Sequence, residues 1–220
     1  MKRRDFSIQL AAGAGLTALG GLHPAAQAQG QAPVEGSQFI KLSQPLPASM
    51  LPPAGKIDVS EFFWYECPHC NAFEPLLEAW AKTIPADVAF RRVPVGFTAR
   101  HQVGQKMFYA LEELGAIPAV HRKVFTAIHG QGQRLTSESD AIALASAVGV
   151  DKAKFAEAYK SFGVNTKCAK ARQLSDAYKV DGVPLMGIHG RYFTSASLAG
   201  SHERALAVAD YLIQRARKGG

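Results

Sequence analysis

A near-continuous apolar and aromatic run, residues 57–65, passes within two residues into Cys67-Pro68-His69-Cys70. The run has the length and composition of a central strand covered on both faces. A helix starts directly after it: Pro68 suits the first turn, where its missing N–H costs nothing, and Phe73, Leu76, Leu77 and Trp80 recur at helical spacing. A C-x-x-C pair at a helix N-terminus points to a redox disulfide, because the free N–H groups and the helix dipole there stabilise the thiolate that carries out exchange. Cys67 is expected to be the exposed nucleophile and Cys70 its buried resolving partner. The same spacing is shared with half of a metal site. No second C-x-x-C or H-x₃₋₅-H pair supplies the remaining ligands, so no metal is expected. His101, His121, His129 and His202 are isolated in sequence and read as surface or core residues.

Around this strand and helix the pattern extends in both directions. Residues 39–42 suit a short edge strand, and Pro45, Pro47, Pro52 and Pro53 bar regular structure until Lys56. Residues 88–95 read as another strand. From residue 100 to 180 the period becomes helical, broken by glycine turns and capped at Ser137 and Asp151. One helix there places Phe155, Tyr159 and Phe162 on a single face. After Gly182-Val183-Pro184, residues 185–193 give two short strands around a turn at His189. Ser201 then caps a last helix lined by Ala205, Val208, Leu212 and Ala216. The order is β-β-α-β, a helical block, then β-β-α.

The N-terminus defines the compartment. Basic residues, a Gly/Ala/Leu stretch and Ala26-Gln27-Ala28 make residues 1–28 an export signal peptide, and Arg3-Arg4 reads either as a twin-arginine signal or as an ordinary basic start. Residues 29–38 read as a flexible leader. Export takes the dithiol to a place where disulfides persist, and the expected location is the periplasm. The formal charge of +7 is spread without an arginine-rich run, which speaks against nucleic-acid binding. Cys168 is the odd cysteine, either a small buried apolar residue or a regulatory or cross-linking thiol.

This order, with C-x-x-C opening the first helix and Gly-Val-Pro before the late hairpin, resembles the thioredoxin fold. With Cys-Pro-His-Cys, the Glu61-Phe62-Phe63 lead-in and the large helical insert, the chain resembles the DsbA family of exported thiol:disulfide oxidoreductases. The fold class is therefore α/β, thioredoxin-like with a large helical insertion. The thioredoxin-like domain is discontinuous (residues 29–98 and 181–220), and residues 99–180 form the inserted subdomain.

The resemblance implies that Cys67 attacks, Cys70 resolves and His69 with Pro68 tunes the pair. It implies a cis peptide before Pro184 that presents Val183 to substrate. Glu61 and Glu74 become candidate proton relays, although Glu61 also reads as a paired strand carboxylate and Glu74 as a solvated helix residue. No cofactor is implied beyond the Cys67–Cys70 disulfide. The implied partners are folding exported proteins with free thiols and a DsbB-type quinone-linked membrane reoxidant. Within the same fold, a reductase or isomerase is the rival. A reductase favours Gly-Pro between the cysteines, and an isomerase needs a dimerisation domain for which the stretch before the first strand leaves no room.

Two features depart from the family. Glu66 directly precedes Cys67, where its charge disfavours the thiolate. The family's buried lysine partner to the strand acid has no match, Arg91 or Arg92 being nearest.

Overall fold

The computed structural model describes residues 32–52 and 55–219; the export signal of residues 1–28 lies outside them. Strand β1 (Ile40–Lys41) is followed by a single 3-10 turn at Ala48–Met50, a regular element in a proline-rich stretch where none was expected. Then come β2 (Ile57–Phe63), helix α1 (Pro68–Ala81) and β3 (Val88–Pro94). Five helices succeed them: α2 (Ala99–Glu113), α3 (Ile117–His129), α4 (Glu138–Ala147), α5 (Lys152–Lys160) and α6 (Phe162–Ala177). Strands β4 (Leu185–Ile188) and β5 (Tyr192–Ser195), the short α7 (Ala196–Ala199) and α8 (His202–Arg217) complete the order.

The sheet runs β1-β5-β4-β2-β3. Its β2 is parallel to β3 and antiparallel to β4, so the fully buried β2 is central. Alternation along a strand sends successive side chains to opposite faces. Ile57 and Val59 enter an apolar core shared with Phe73 and Leu77 of α1 and Ala209 and Leu212 of α8. Phe62 enters a second core with Tyr178, Met107, Phe125 and other residues of the helical block. Gly187 of β4 is required there, because a Cβ would stand 2.7 Å from the Tyr178 ring. The Tyr178 hydroxyl in turn accepts the Gly190 N–H at 2.7 Å. His189 holds the turn at φ 51°, a region that His tolerates better than most residues.

Several local expectations change. Residues 34–38 are no loose leader: Gln38 N donates to Val34 O at 2.9 Å, and the Gln38 carbonyl accepts from Thr194 Oγ1 at 2.7 Å. Phe162 does not share the face of Phe155 and Tyr159. Helix α5 ends at Lys160, and Ser161 (ψ 152°) caps a new helix, so the phase breaks and Phe162 is left 86% exposed. Cys168 is buried in the core of the helical block, close to Tyr109 and Tyr159, and burial pushes its thiol up to about 11. Among the described residues no helix is long and apolar enough to cross a membrane.

Candidate active site

Cys67 is the N-cap of α1 (φ −80°, ψ 118°), with Pro68 at the first helical position. An N-cap side chain accepts from the otherwise unpaired N–H groups of the first turn, and here Cys67 Sγ accepts from Cys70 N at 3.4 Å. Cys67 Sγ also lies 3.5 Å from the Val183 carbonyl. Both thiols are free. Cys67 is only 7% exposed, which corrects the expectation of an open nucleophile, and Cys70 is fully buried. Pro68 and His69 beside them are exposed.

The two thiols differ sharply in acidity. Hydrogen bonding from the Cys70 thiol lowers Cys67 to about 6; burial opposes this, and the N–H groups of Cys70 and His69 and the His69 charge assist. Burial, then the neighbouring Cys67 and Glu61, push Cys70 well above the ordinary thiol value. Reduced, the pair therefore carries its charge on Cys67.

The Val183–Pro184 peptide is cis. It borders a cleft of about 510 Å³ that His69, Asp181, Gly182, Leu185 and His202 also line.

Beneath the dithiol, β2 and β3 place Glu61 opposite Arg92 and Ser60 opposite Arg91. This settles which arginine serves the strand acid: Arg92 Nε is 3.4 Å from Glu61 Oε2, and Arg92 Nη2 donates to Glu74 Oε1. Arg91 turns to the other face, where it pairs with Asp58 at 3.0 Å and donates to Met50 O at 2.9 Å. Glu74 is 2% exposed and Glu61 fully buried, so the solvated reading of Glu74 does not hold. Burial pushes Glu61 up, Glu74 adds to the rise, and Arg92 only partly offsets them. Burial also pushes Glu74 up, but His121 and Arg92 outweigh it and hold Glu74 below the ordinary value.

Glu66 does not act on Cys67 as its sequence position implies. Arg100 forks onto it, Nη2 to Oε1 at 2.8 Å and Nε to Oε2 at 3.1 Å, while the guanidinium lies 5.6 Å from the Trp64 ring centre. Its charge is neutralised laterally, and it is absent from the main influences on Cys67.

Three further contributors escaped the sequence reading. His121, one turn before Phe125 on α3, reaches the buried acids. Its signal was an imidazole inside the apolar stripe of Val120, Val124 and Phe125. His129 Nε2 donates to the Tyr65 carbonyl at 2.8 Å, fixing the chain just before the dithiol. Pro75 inside α1 has no N–H for the Asn71 carbonyl, which Arg122 of α3 takes at 3.3 Å. Among the described residues no group of three or more His, Cys, Asp or Glu could hold a metal ion.

A central parallel–antiparallel sheet, an ionisable cysteine capping the first helix and a cis-proline loop facing it define a thioredoxin-fold dithiol protein. The comparisons narrow this. Residues 77–205 match the DSBA-like thioredoxin domain, a match that begins beyond the dithiol. Full-length relatives span the dithiol as well. The thiol:disulfide interchange protein DsbA of Bordetella parapertussis is 43% identical over 219 residues, 99% of this chain and 100% of the relative. That of Azotobacter vinelandii is 40% identical over 209 residues, 94% of each. The crystal structure of Pseudomonas aeruginosa DsbA superposes with a TM-score of 0.80 at 40% identity, covering 84% of this chain and 95% of that one. The chain belongs to the DsbA family and is a thiol:disulfide oxidoreductase, acting through a redox-active cysteine pair on reduced protein thiols.

Proposed function

We propose that the chain is a periplasmic disulfide donor, exported by the signal at residues 1–28 and built as a thioredoxin-like domain (29–98, 181–220) with residues 99–180 inserted. A substrate thiolate attacks Cys67 Sγ, the Cys67–Cys70 bond breaks, and Cys70 leaves with the bond's electron pair. The leaving thiolate takes a proton, for which Glu61, the buried acid whose charge acts on Cys70, is the donor and Glu74 its charged neighbour. A second substrate thiolate attacks the substrate sulfur of the mixed disulfide and releases Cys67 as the anion. The substrate dithiol is oxidised by two electrons, and the cysteine pair is reduced by two.

Val183 offers its backbone to the incoming strand across the cis-Pro184 loop, while Pro68 and His69 flank the attacked sulfur. A DsbB-type quinone-linked membrane protein returns the pair to the disulfide. The observation that carries this direction is the stabilised Cys67 anion: whatever favours the reduced product makes the disulfide easier to reduce and hence more oxidising. Redox equilibration with glutathione tests it. The disulfide is expected to be reduced by low concentrations of glutathione, and a potential as low as the roughly −270 mV of thioredoxin would show a reductase instead.

A further inference from the structure

His121 enters the buried acid site from α3, within the helical block, and among the described residues no other side chain of that block shares a charged contact with Glu74. Its ring is 7% exposed and enclosed by Phe63, Tyr65, Phe108 and Phe125, with centroids 5.3 to 5.8 Å away. It meets two polar atoms. Nδ1 is 2.8 Å from Tyr65 Oη, and Nε2 faces Glu74 Oε2 at 3.5 Å, a long contact between two buried atoms that have no hydrogen-bond partner among the described residues.

The chemistry of these neighbours orders the hydrogens. Tyr65 keeps its proton, because burial and then Glu74 push its phenol well above the ordinary value. Burial also pushes the His121 imidazole down, with Glu74 only partly opposing, so the ring is neutral and carries one N–H. If that hydrogen were on Nδ1, the Nε2 lone pair would face a carboxylate oxygen. With Tyr65 donating to Nδ1, the hydrogen sits on Nε2 and points at Glu74.

The two carboxylates that share Arg92 are thus served unequally. Glu74 has the Arg92 hydrogen bond on one oxygen, and its other oxygen faces the imidazole Nε2 at 3.5 Å, a charge–dipole contact longer than a hydrogen bond. Among the described residues neither oxygen of Glu61 has a hydrogen-bond partner, and its nearest cation atom, Arg92 Nε, is 3.4 Å away. One guanidinium cannot balance two buried anions, so one carboxyl keeps a proton.

We propose that His121 is a positioning residue for the dithiol: it holds the negative charge on Glu74 and so leaves the shared proton on Glu61, the acid that faces Cys70. This deepens the relay role given to Glu61 above and rests on it for its consequence, but not for the assignment of the proton. The groups facing Glu61 are Cys70 and Glu74 from α1, Arg92 from β3 and the Tyr65 phenol after β2. Those facing His121 are Tyr65 after β2, Glu74 and Glu78 from α1, and Arg92.

The test is a carboxyl carbon NMR titration of the reduced full chain, with the Glu61 signal assigned by its loss in E61Q. In the parent chain Glu61 is expected to be protonated at neutral pH. In H121L its ionisation moves down by about one pH unit or more, and that of Glu74 moves up, the effect of losing one N–H dipole beside a charged group. H121Q, whose amide also donates, restores most of the parent titration. Unchanged Glu61 titration in H121L, or equal shifts in H121L and H121Q, would overturn the proposal and leave the imidazole as packing.

Should H121L not fold, Y65F frees the tautomer and is expected to give a smaller shift in the same direction; no shift there overturns the proposal as well. The pH profile of Cys70 attack on a mixed disulfide separates the two ideas. A moved Glu61 titration with an unmoved profile supports the proton assignment and removes the relay.

Discussion

Two buried carboxylate and arginine clusters lie on opposite faces of the same two strands, and they are built to different ratios. On one face Asp58 has Arg91 to itself, with Ser60 Oγ donating to its Oδ2 at 3.1 Å, and Arg91 extends to the Met50 carbonyl. On the other, Arg92 is divided between Glu61 and Glu74. The first cluster ties the N-terminal segment to the sheet and lies away from the dithiol. The second lies under Cys70 and leaves one acid short of a counter-charge. The two faces differ in degree: burial also raises Asp58, with Arg91 and Ser60 opposing it, whereas Glu61 must in addition bear the charge of Glu74 and is pushed to about 8. A buried charge without full compensation is costly, and such a cost persists most readily where chemistry uses it.

Breaking the second cluster has the largest expected effect. R92M strands two carboxylates and is expected to cost about 3–5 kcal/mol in denaturant unfolding near pH 7. Because the folded-state value of Glu74 is depressed, the stability it supplies is present above its unfolded value and lost as pH falls through the folded one. The deficit of R92M therefore shrinks below about pH 4. An R92M loss that stays constant down to acid pH would contradict the shared-cation account.

R91M acts on the half-exposed partner of Asp58 and is expected to cost about 2 kcal/mol, with the glutathione equilibrium unchanged. A shifted equilibrium in R91M would dissolve the distinction between the faces. E61Q is expected to stabilise the reduced protein by about 1–3 kcal/mol near neutral pH. The sign comes from the raised folded-state value of Glu61: it carries no cost below its unfolded value, and the cost grows as pH rises above it. The gain must therefore vanish near about pH 4, and a gain independent of pH would place its origin in packing.

The smallest effect is expected at the surface. R100A releases the Glu66 charge beside Cys67 and should raise the Cys67 value by a few tenths of a unit, which E66A/R100A cancels. Iodoacetamide alkylation rates across pH read both variants. A rise that survives in E66A/R100A would remove Glu66 from the account.

How much the sequence disclosed depends on the range of the interactions involved. Residues 57–65, the N-cap cysteine with Pro68, and the Gly-Val-Pro turn are local patterns, and each was legible from its own neighbours. The choice between Arg91 and Arg92 was not, because adjacent strand residues face opposite ways and only the register with β2 assigns them. The Phe162 expectation failed because one capping serine resets the helical phase, and periodicity read through it gives the wrong face. Glu74 and His121 were harder still: each sits on a different helix, and only the docking of α3 on α1 makes them neighbours. The effect of Glu66 on Cys67, read from their adjacency, was also incomplete, because its counter-charge Arg100 lies 34 residues on.

The central claim is that the reduced pair holds a stabilised anion on Cys67 and a thiol on Cys70. Titration of thiolate ultraviolet absorbance in the reduced protein tests it most directly. The account predicts one step of a single thiolate at about 6, with Cys70 and Cys168 silent through the neutral range. Cys67→Ser must abolish that step. A first step near about 8.5, where an unperturbed thiol ionises, would contradict the claim.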